Sequence, residues 1–573
     1  MTLEAAFALL LSLVQLAIFV GIVVFVVKVV TKKGSSSAEG SGISVRRFFQ
    51  YSIMLVMLVV ASFGIIGIID AVASGGSTVT RDTAAIARSI AFLVVGLPVF
   101  GGLAFYTRRL LRTTPAESRS LGWIGYLTLA LIGSLIFVMS FTTAFVGELL
   151  TDGDFETMSF ISILVWGSVW FAHWMVAARS ADRDQMQFHL LAGSAAGLVT
   201  LAIGAGVAIS AALGELYDTV FSVTVVNAGA EVLARGVVLF VIGAVVWFFY
   251  WIDHTRSTNR SLLWLSYVLL VGVLGGVITA VVGAGTLLFG FLDWLIGDVG
   301  STAASVHFAF IPGALAALFA GAGSWGYHRH VLGSRTTENR TEVHRVYDYL
   351  LSGAGLLVAA GGFATLITVG LDALGSDPIA ESGGSVSAVA ITLLVVGVPL
   401  WWRHWTGIRN FRATQPQDEV SSITRRVYLF VLFGATGLVA VISLIILVFI
   451  AVEDLLEGDL GSATINSIAV PLSLILTAGA VAWYHFAVFR EDRAITPHEK
   501  LPTVREVVVV GSGEDIAAIS DRAGVRVEGL RVAGESTDVE TLDEILSALA
   551  TETHGRVVVV AEDGAYRLLP LDD

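Results

Sequence analysis

Thirteen stretches of the chain stay apolar long enough to cross a bilayer as helices, since a hydrocarbon core about 30 Å thick takes about 20 helical residues. They lie near 5–27, 48–72, 84–107, 121–147, 158–178, 188–213, 232–252, 262–292, 303–327, 349–371, 386–402, 427–452 and 465–489. Short polar and basic clusters separate them. After Pro497 the pattern changes to short apolar runs alternating with amphipathic segments. Strands are predicted at Val507–Val510, near Val525–Val532, at Val557–Val560 and at Tyr566–Leu569, with helices over Glu514–Arg522 and Val539–Ala550. The fold class that follows is an all-α polytopic membrane protein ending in a small α/β domain at 503–573.

Beyond the first span, at 1–33, and a Gly/Ser linker at 34–45, the twelve remaining helices form six hairpins. Phe92-Leu-Val-Val-Gly-Leu-Pro98 matches Leu394-Val-Val-Gly-Val-Pro399, and Arg88 and Arg235 precede Gly96 and Gly243 by the same distance. Alternate hairpins therefore correspond, and the unit is four helices repeated three times, at 46–182, 183–331 and 340–493. All three units enter from the same side, so the repeats are parallel rather than inverted.

Such a unit resembles a family of membrane domains that carries only a domain-of-unknown-function label and occurs in haloarchaeal and some bacterial proteins, often in tandem. The resemblance rests on Phe171-Ala-His-Trp174, on Arg403-His-Trp405 with Thr424-Arg-Arg-Val-Tyr428, and on Trp483-Tyr-His485. It covers roughly 46–493 and implies no activity, so it carries no catalytic residue to this chain.

Charge orients the helices. Of the basic residues up to 493, only Arg81, Arg88 and Arg235 fall in one set of alternate loops and helix starts. The others gather on the opposite side, as in Arg108, Arg109 and Arg112, or Arg425 and Arg426. Lys and Arg near span ends stay cytoplasmic, which predicts a cell-membrane protein with its N-terminus outside and its C-terminus in the cytoplasm. Glu4 in place of a basic leader, with Lys28, Lys32 and Lys33 following, marks the first span as an anchor rather than a cleaved signal.

Composition narrows the function classes. The 573 residues are 55% hydrophobic and 14% charged, with a net charge of −13 and a mean hydropathy of +0.81. Soluble enzymes and nucleic-acid binders are set aside. The absence of cysteine removes disulfides and thiolate chemistry. The tail from 494 onward holds 16 acidic and 7 basic residues, a balance that avoids an anionic membrane surface.

No catalytic motif, cofactor loop or metal set is evident; His328, His330 and His344 make a weak ligand set, since imidazole is a common metal ligand. Ionisable residues deep in a membrane helix are costly and kept for function, and few are present. Arg88 and Arg235, the latter one turn after Glu231, are the candidates for an anion or headgroup contact, against simple interfacial pairing. His173, Trp174, His404, Trp405, Trp483 and His485 read as an interfacial aromatic–His belt. The expected function is a non-catalytic scaffold or regulatory membrane protein, with the bilayer as its main partner and 503–573 as a module for a cytoplasmic protein. The alternative is a transporter or channel for a neutral or weakly polar solute.

Overall fold

The computed structural model describes residues 38–73, 83–151, 155–180, 183–223, 229–258, 260–297, 302–333, 342–374 and 383–495. It also describes 506–511, 513–522, 526–531, 539–552, 556–562 and 565–571, with a few single positions between. The anchor expected near 5–27 lies outside these residues. Twelve described helices are long and apolar enough to cross a membrane. They are α1 (Ala38–Ala73), α2 (Thr83–Thr113), α3 (Leu121–Leu150), α4 (Thr157–Ser180), α5 (Gln185–Phe221) and α6 (Ala230–Thr255). The others are α7 (Leu262–Ile296), α8 (Ala304–Leu332), α9 (Glu342–Asp372), α10 (Gly383–Thr414), α11 (Ile423–Glu457) and α12 (Ser462–Ala494).

Two expectations are corrected. The linker expected at 34–45 is helical from Ala38 onward, because with no proline to stop it the ladder propagates back from the apolar segment. Several helices outrun their apolar stretches, so Arg108, Arg109 and Arg112 ride on the end of α2, and Arg403, Arg409 and Arg412 on the end of α10. Arginine is a good helix former, and cations near a helix C-terminus complement its dipole. Pro312 sits at the start of the α-helical part of α8, after a 3₁₀ turn over Phe308–Phe310. Its missing N–H costs nothing there. Pro98, Pro399 and Pro471 do lie inside helices.

Contacts divide the chain into two compact units, 1–410 with 424–482, and 411–423 with 483–573. In the first, α1 packs on α2, α3 on α4, α5 on α6 and α7 on α8, while α5 also meets α8. Glycines set the closest crossings. At the α5/α6 crossing, a Cβ on Gly204 would stand 2.1 Å from Phe240 N, and one on Gly243 2.2 Å from Leu201 N. Each helix thus receives the other's backbone, as close packing in lipid requires. The same reciprocal arrangement joins α1 to α2 through Gly64 and Gly96, and α9 to α10 through Gly362 and Gly397.

Two helices widen locally into π turns, over Phe248–Thr255 in α6 and Tyr267–Leu274 in α7. The wider turn lets the adjacent bulky rings of Tyr250 and Trp251 both be buried.

In the second unit, β1 (Glu506–Gly511), α13 (Gly513–Arg522), β2 (Arg526–Arg531), α14 (Val539–Thr551), β3 (Arg556–Glu562) and β4 (Ala565–Leu571) follow the order read from the sequence. The sheet order is β2-β1-β3-β4, with only β4 antiparallel. Val507, Val509, Val557 and Val559 alternate onto the face that packs Ile519, Ile545 and Leu549 of the helices. Where the turn over Pro416–Ser421 belongs to this unit, Glu419 within it is buried.

Candidate functional site

Buried polar side chains gather at the helix ends that carry the arginines. The first cluster closes on Glu117, in the one-turn helix Pro115–Ser118 between α2 and α3, where the carboxylate is 1% exposed. Arg46 Nη2 donates to Oε2 at 3.0 Å, Arg47 donates through Nε at 3.1 Å and Nη2 at 2.9 Å, and Tyr51 Oη donates to Oε1 at 2.8 Å. Arg47 and Tyr51 lie one turn apart on α1, so one helix face presents both donors. One turn away Gln50 Nε2 donates to Thr107 Oγ1 at 2.8 Å. Burial alone would raise the Glu117 carboxyl, but the bonds from Arg47 and Tyr51 and the charges of Arg47 and Arg46 hold it below its ordinary value.

A second cluster is aromatic. Ser120 accepts from Trp123 N at 3.3 Å and caps α3, and Trp123 stacks on Tyr126. Tyr126 Oη lies 2.7 Å from His173 Nε2, while His173 Nδ1 lies 2.7 Å from the Val169 carbonyl. A carbonyl only accepts, so Nδ1 carries the proton, Nε2 accepts, and the tyrosine donates. The spacing recurs: Ser261 caps Trp264, followed by Tyr267, and Ser422 precedes Arg425 and Tyr428 at the same intervals. His328 bonds the Ser324 carbonyl through Nδ1, while its Nε2 finds no partner among the described residues; Tyr267 Oη accepts from Trp247 Nε1 at 2.8 Å.

The third cluster lies between α9, α10 and α11. His404 Nδ1 meets Asp348 Oδ1 at 3.1 Å, with Asp348 1% exposed. Arg425, also buried, donates to Tyr349 Oη at 2.8 Å, and buried Arg345 donates to Glu342 at 2.8 Å. Indole-to-phenol bonds run from α4 to α6 through Trp170 and Tyr250, at 2.8 Å, and from α8 to α9 through Trp325 and Tyr347, at 3.2 Å.

The residues expected as an interfacial aromatic–His belt differ in burial. His173, His404 and His485 are buried, as is Trp405, and Trp174 is half-buried against Phe249 and Tyr250. Only Trp483 among the six is well exposed, as a belt residue would be. His173 and His404 each bond a side chain of another helix, Tyr126 and Asp348. Arg88, Arg235 and Glu231 are exposed. The structure brings neither arginine into a polar cluster, and no ion pair joins Glu231 to Arg235 among the described residues.

The buried ionic groups Glu117, Arg345, Asp348, Arg425 and Glu419 were not singled out from the sequence. A usable signal was present: Arg47-x3-Tyr51 with Pro115-x-Glu117 parallels Arg345-x3-Tyr349 with Pro416-x2-Glu419. No group of three or more His, Asp and Glu residues suited to a metal stands together among the described residues.

A cavity of about 640 Å³ opens among α5, α7 and α8, with Val232 of α6 at one end. Its walls are small and apolar, and two of its hydroxyls, Thr279 and Ser324, already bond the carbonyls of Gly275 and Gly272.

A family model described as a domain of unknown function (DUF5671) matches residues 47–170 and, a second time, 345–480. Both stretches fall within the first and third of the units read from the sequence. No curated protein and no solved structure matches significantly.

Proposed function

From a chain that carries two matches to a domain of unknown function, we propose a multi-pass integral membrane protein that serves as a non-catalytic scaffold. Three parallel four-helix units, at 46–182, 183–331 and 340–493, build its body, and 503–573 presents an interaction surface in the cytoplasm. The reciprocal glycine crossings in the first hairpin of each unit, and the thrice-repeated Ser-x2-Trp/Arg-x2-Tyr spacing, support the triplication. The observation that carries the scaffold reading is the uncharged wall of the cavity beside polar clusters that bond helix to helix. Glu117, Tyr126, His173 and Tyr250 are bonded to neighbouring helices, and the cavity has no charged wall. A polar solute's path needs polar or charged groups in its wall to replace its hydration.

The second reading, transport of a neutral or weakly polar solute, draws on the same cavity. Reconstitution of the full chain in liposomes, with and without 494–573, against a panel of solutes and ions separates the two. The scaffold gives no flux above empty liposomes, and reproducible flux of any solute overturns it.

A further inference from the structure

The cavity has the size of a ligand site, about 640 Å³ against a usual range of roughly 300–1,000 Å³. It lies along the middle of three membrane-length helices, bounded by Ala202 and Gly206 on α5, Thr279 on α7, and Ala317 and Ser324 on α8, with Val232 near the start of α6. Val199 and Ile203, which line it, are 48% and 53% exposed, so it opens sideways onto the surface that faces hydrocarbon. Its walls carry no charge, and their polar side chains are Ser210, Thr279 and Ser324, of which Thr279 and Ser324 already bond backbone carbonyls. Val232 closes one end, and Arg235 stands one helical turn along the same face of α6. That guanidinium is exposed and, among the described residues, makes no ion pair with Glu231, so a cation stands beside an apolar slot.

We propose that this slot holds one alkyl tail of an anionic phospholipid whose phosphate is held by Arg235. Apolar chain and negative head are the two chemistries that slot and cation complement together. A phosphate oxygen accepts from the guanidinium fork, and the tail fills a void that water would not occupy, since apolar cavities stay dry.

The test is native mass spectrometry of the full chain released from phosphatidylcholine vesicles containing phosphatidylglycerol, counting lipids retained. The wild type retains one phosphatidylglycerol in preference to phosphatidylcholine by about fivefold, the equivalent of about 1 kcal/mol for one cation at a membrane surface. Arg235→Gln abolishes the preference. Gly206→Phe, at a position where nothing stands within 4 Å of a Cβ, and Ala317→Phe from the opposite wall each remove the retained lipid. Both fillers are checked by thermal unfolding, and the exposed Arg235→Gln tests the head contact without touching the packing. No retained lipid in the wild type, or retention surviving both fillers, overturns the proposal, and so does a preference unchanged by Arg235→Gln. Lipid that binds only after residues 1–33 are deleted assigns the slot to the chain's own apolar N-terminal segment and overturns it as well.

Discussion

Glu117→Gln is the sharpest probe of the buried ionic clusters. Glutamine keeps the shape and one acceptor oxygen but removes the charge that Arg46, Arg47 and Tyr51 converge on. Breaking a fully buried ion pair by deleting one partner costs about 3–5 kcal/mol. Here the carboxylate is 1% exposed, but Arg46 and Arg47 are 33% and 20% exposed and recover some water. The expected loss is discounted accordingly to about 2 kcal/mol. By the scaling for domains of 150–250 residues that is roughly 4–8 °C in Tm. Thermal unfolding of the full chain in detergent, at one fixed scan rate, reads it. A double-mutant cycle with Arg47→Gln should give a coupling of about 1 kcal/mol or more. The pH dependence gives an independent check. The folded carboxyl sits below its ordinary value of 4.5, so its contribution is fully present above that value and is lost as pH falls through the lowered folded one. The gap between wild type and Glu117→Gln therefore holds at neutral pH and closes only in acid below about 4.5. Equal melting of the two at pH 7, or additivity with Arg47→Gln, would refute the reasoning.

Other outcomes follow from the same contacts. Tyr126→Phe leaves His173 Nε2 buried without a donor and should cost about 1–3 kcal/mol, read as a lowered Tm; His173→Phe in the same background should restore part of it. Gly243→Leu drives a side chain into the Leu201 backbone and should abolish folded yield, whereas Gly167→Leu, where nothing lies within 4 Å, should express as wild type; equal yields would remove the crossing argument. The chain has no cysteine, so single cysteines report topology cleanly. With the N-terminus outside, a membrane-impermeant maleimide on intact cells should label Ser462→Cys and spare Thr114→Cys, and the reverse pattern inverts the orientation.

Much of the architecture was legible because lipid imposes a simple rule: a spanning helix is apolar for its whole length, and its backbone bonds close on themselves. The α/β tail was legible for a different reason, since Val507 to Val510 and Val557 to Val560 bound two helices of amphipathic period. Burial of charge was not. An arginine at the end of an apolar run has the same pattern whether it faces water or a carboxylate on another helix, and the sequence partner of Arg47 is seventy residues away. Histidine bonding was hidden for the same reason: Tyr126 and His173 stand 47 positions apart in the chain, and only the packing of their helices brings them into a buried hydrogen bond. The glycines bridge these cases. Gly96 and Gly243 look like ordinary small residues in membrane helices, yet each receives a partner backbone within 3 Å of where its Cβ would be, and that approach fixes the register of α1 on α2 and of α5 on α6. Once that register is fixed, α1 and α2 carry Gln50 and Thr107 to the same level, within hydrogen-bonding distance. The polar clusters at the helix ends are thus a consequence of the glycine crossings further along the same helices, which is why recurring glycine positions bring recurring buried polar contacts with them.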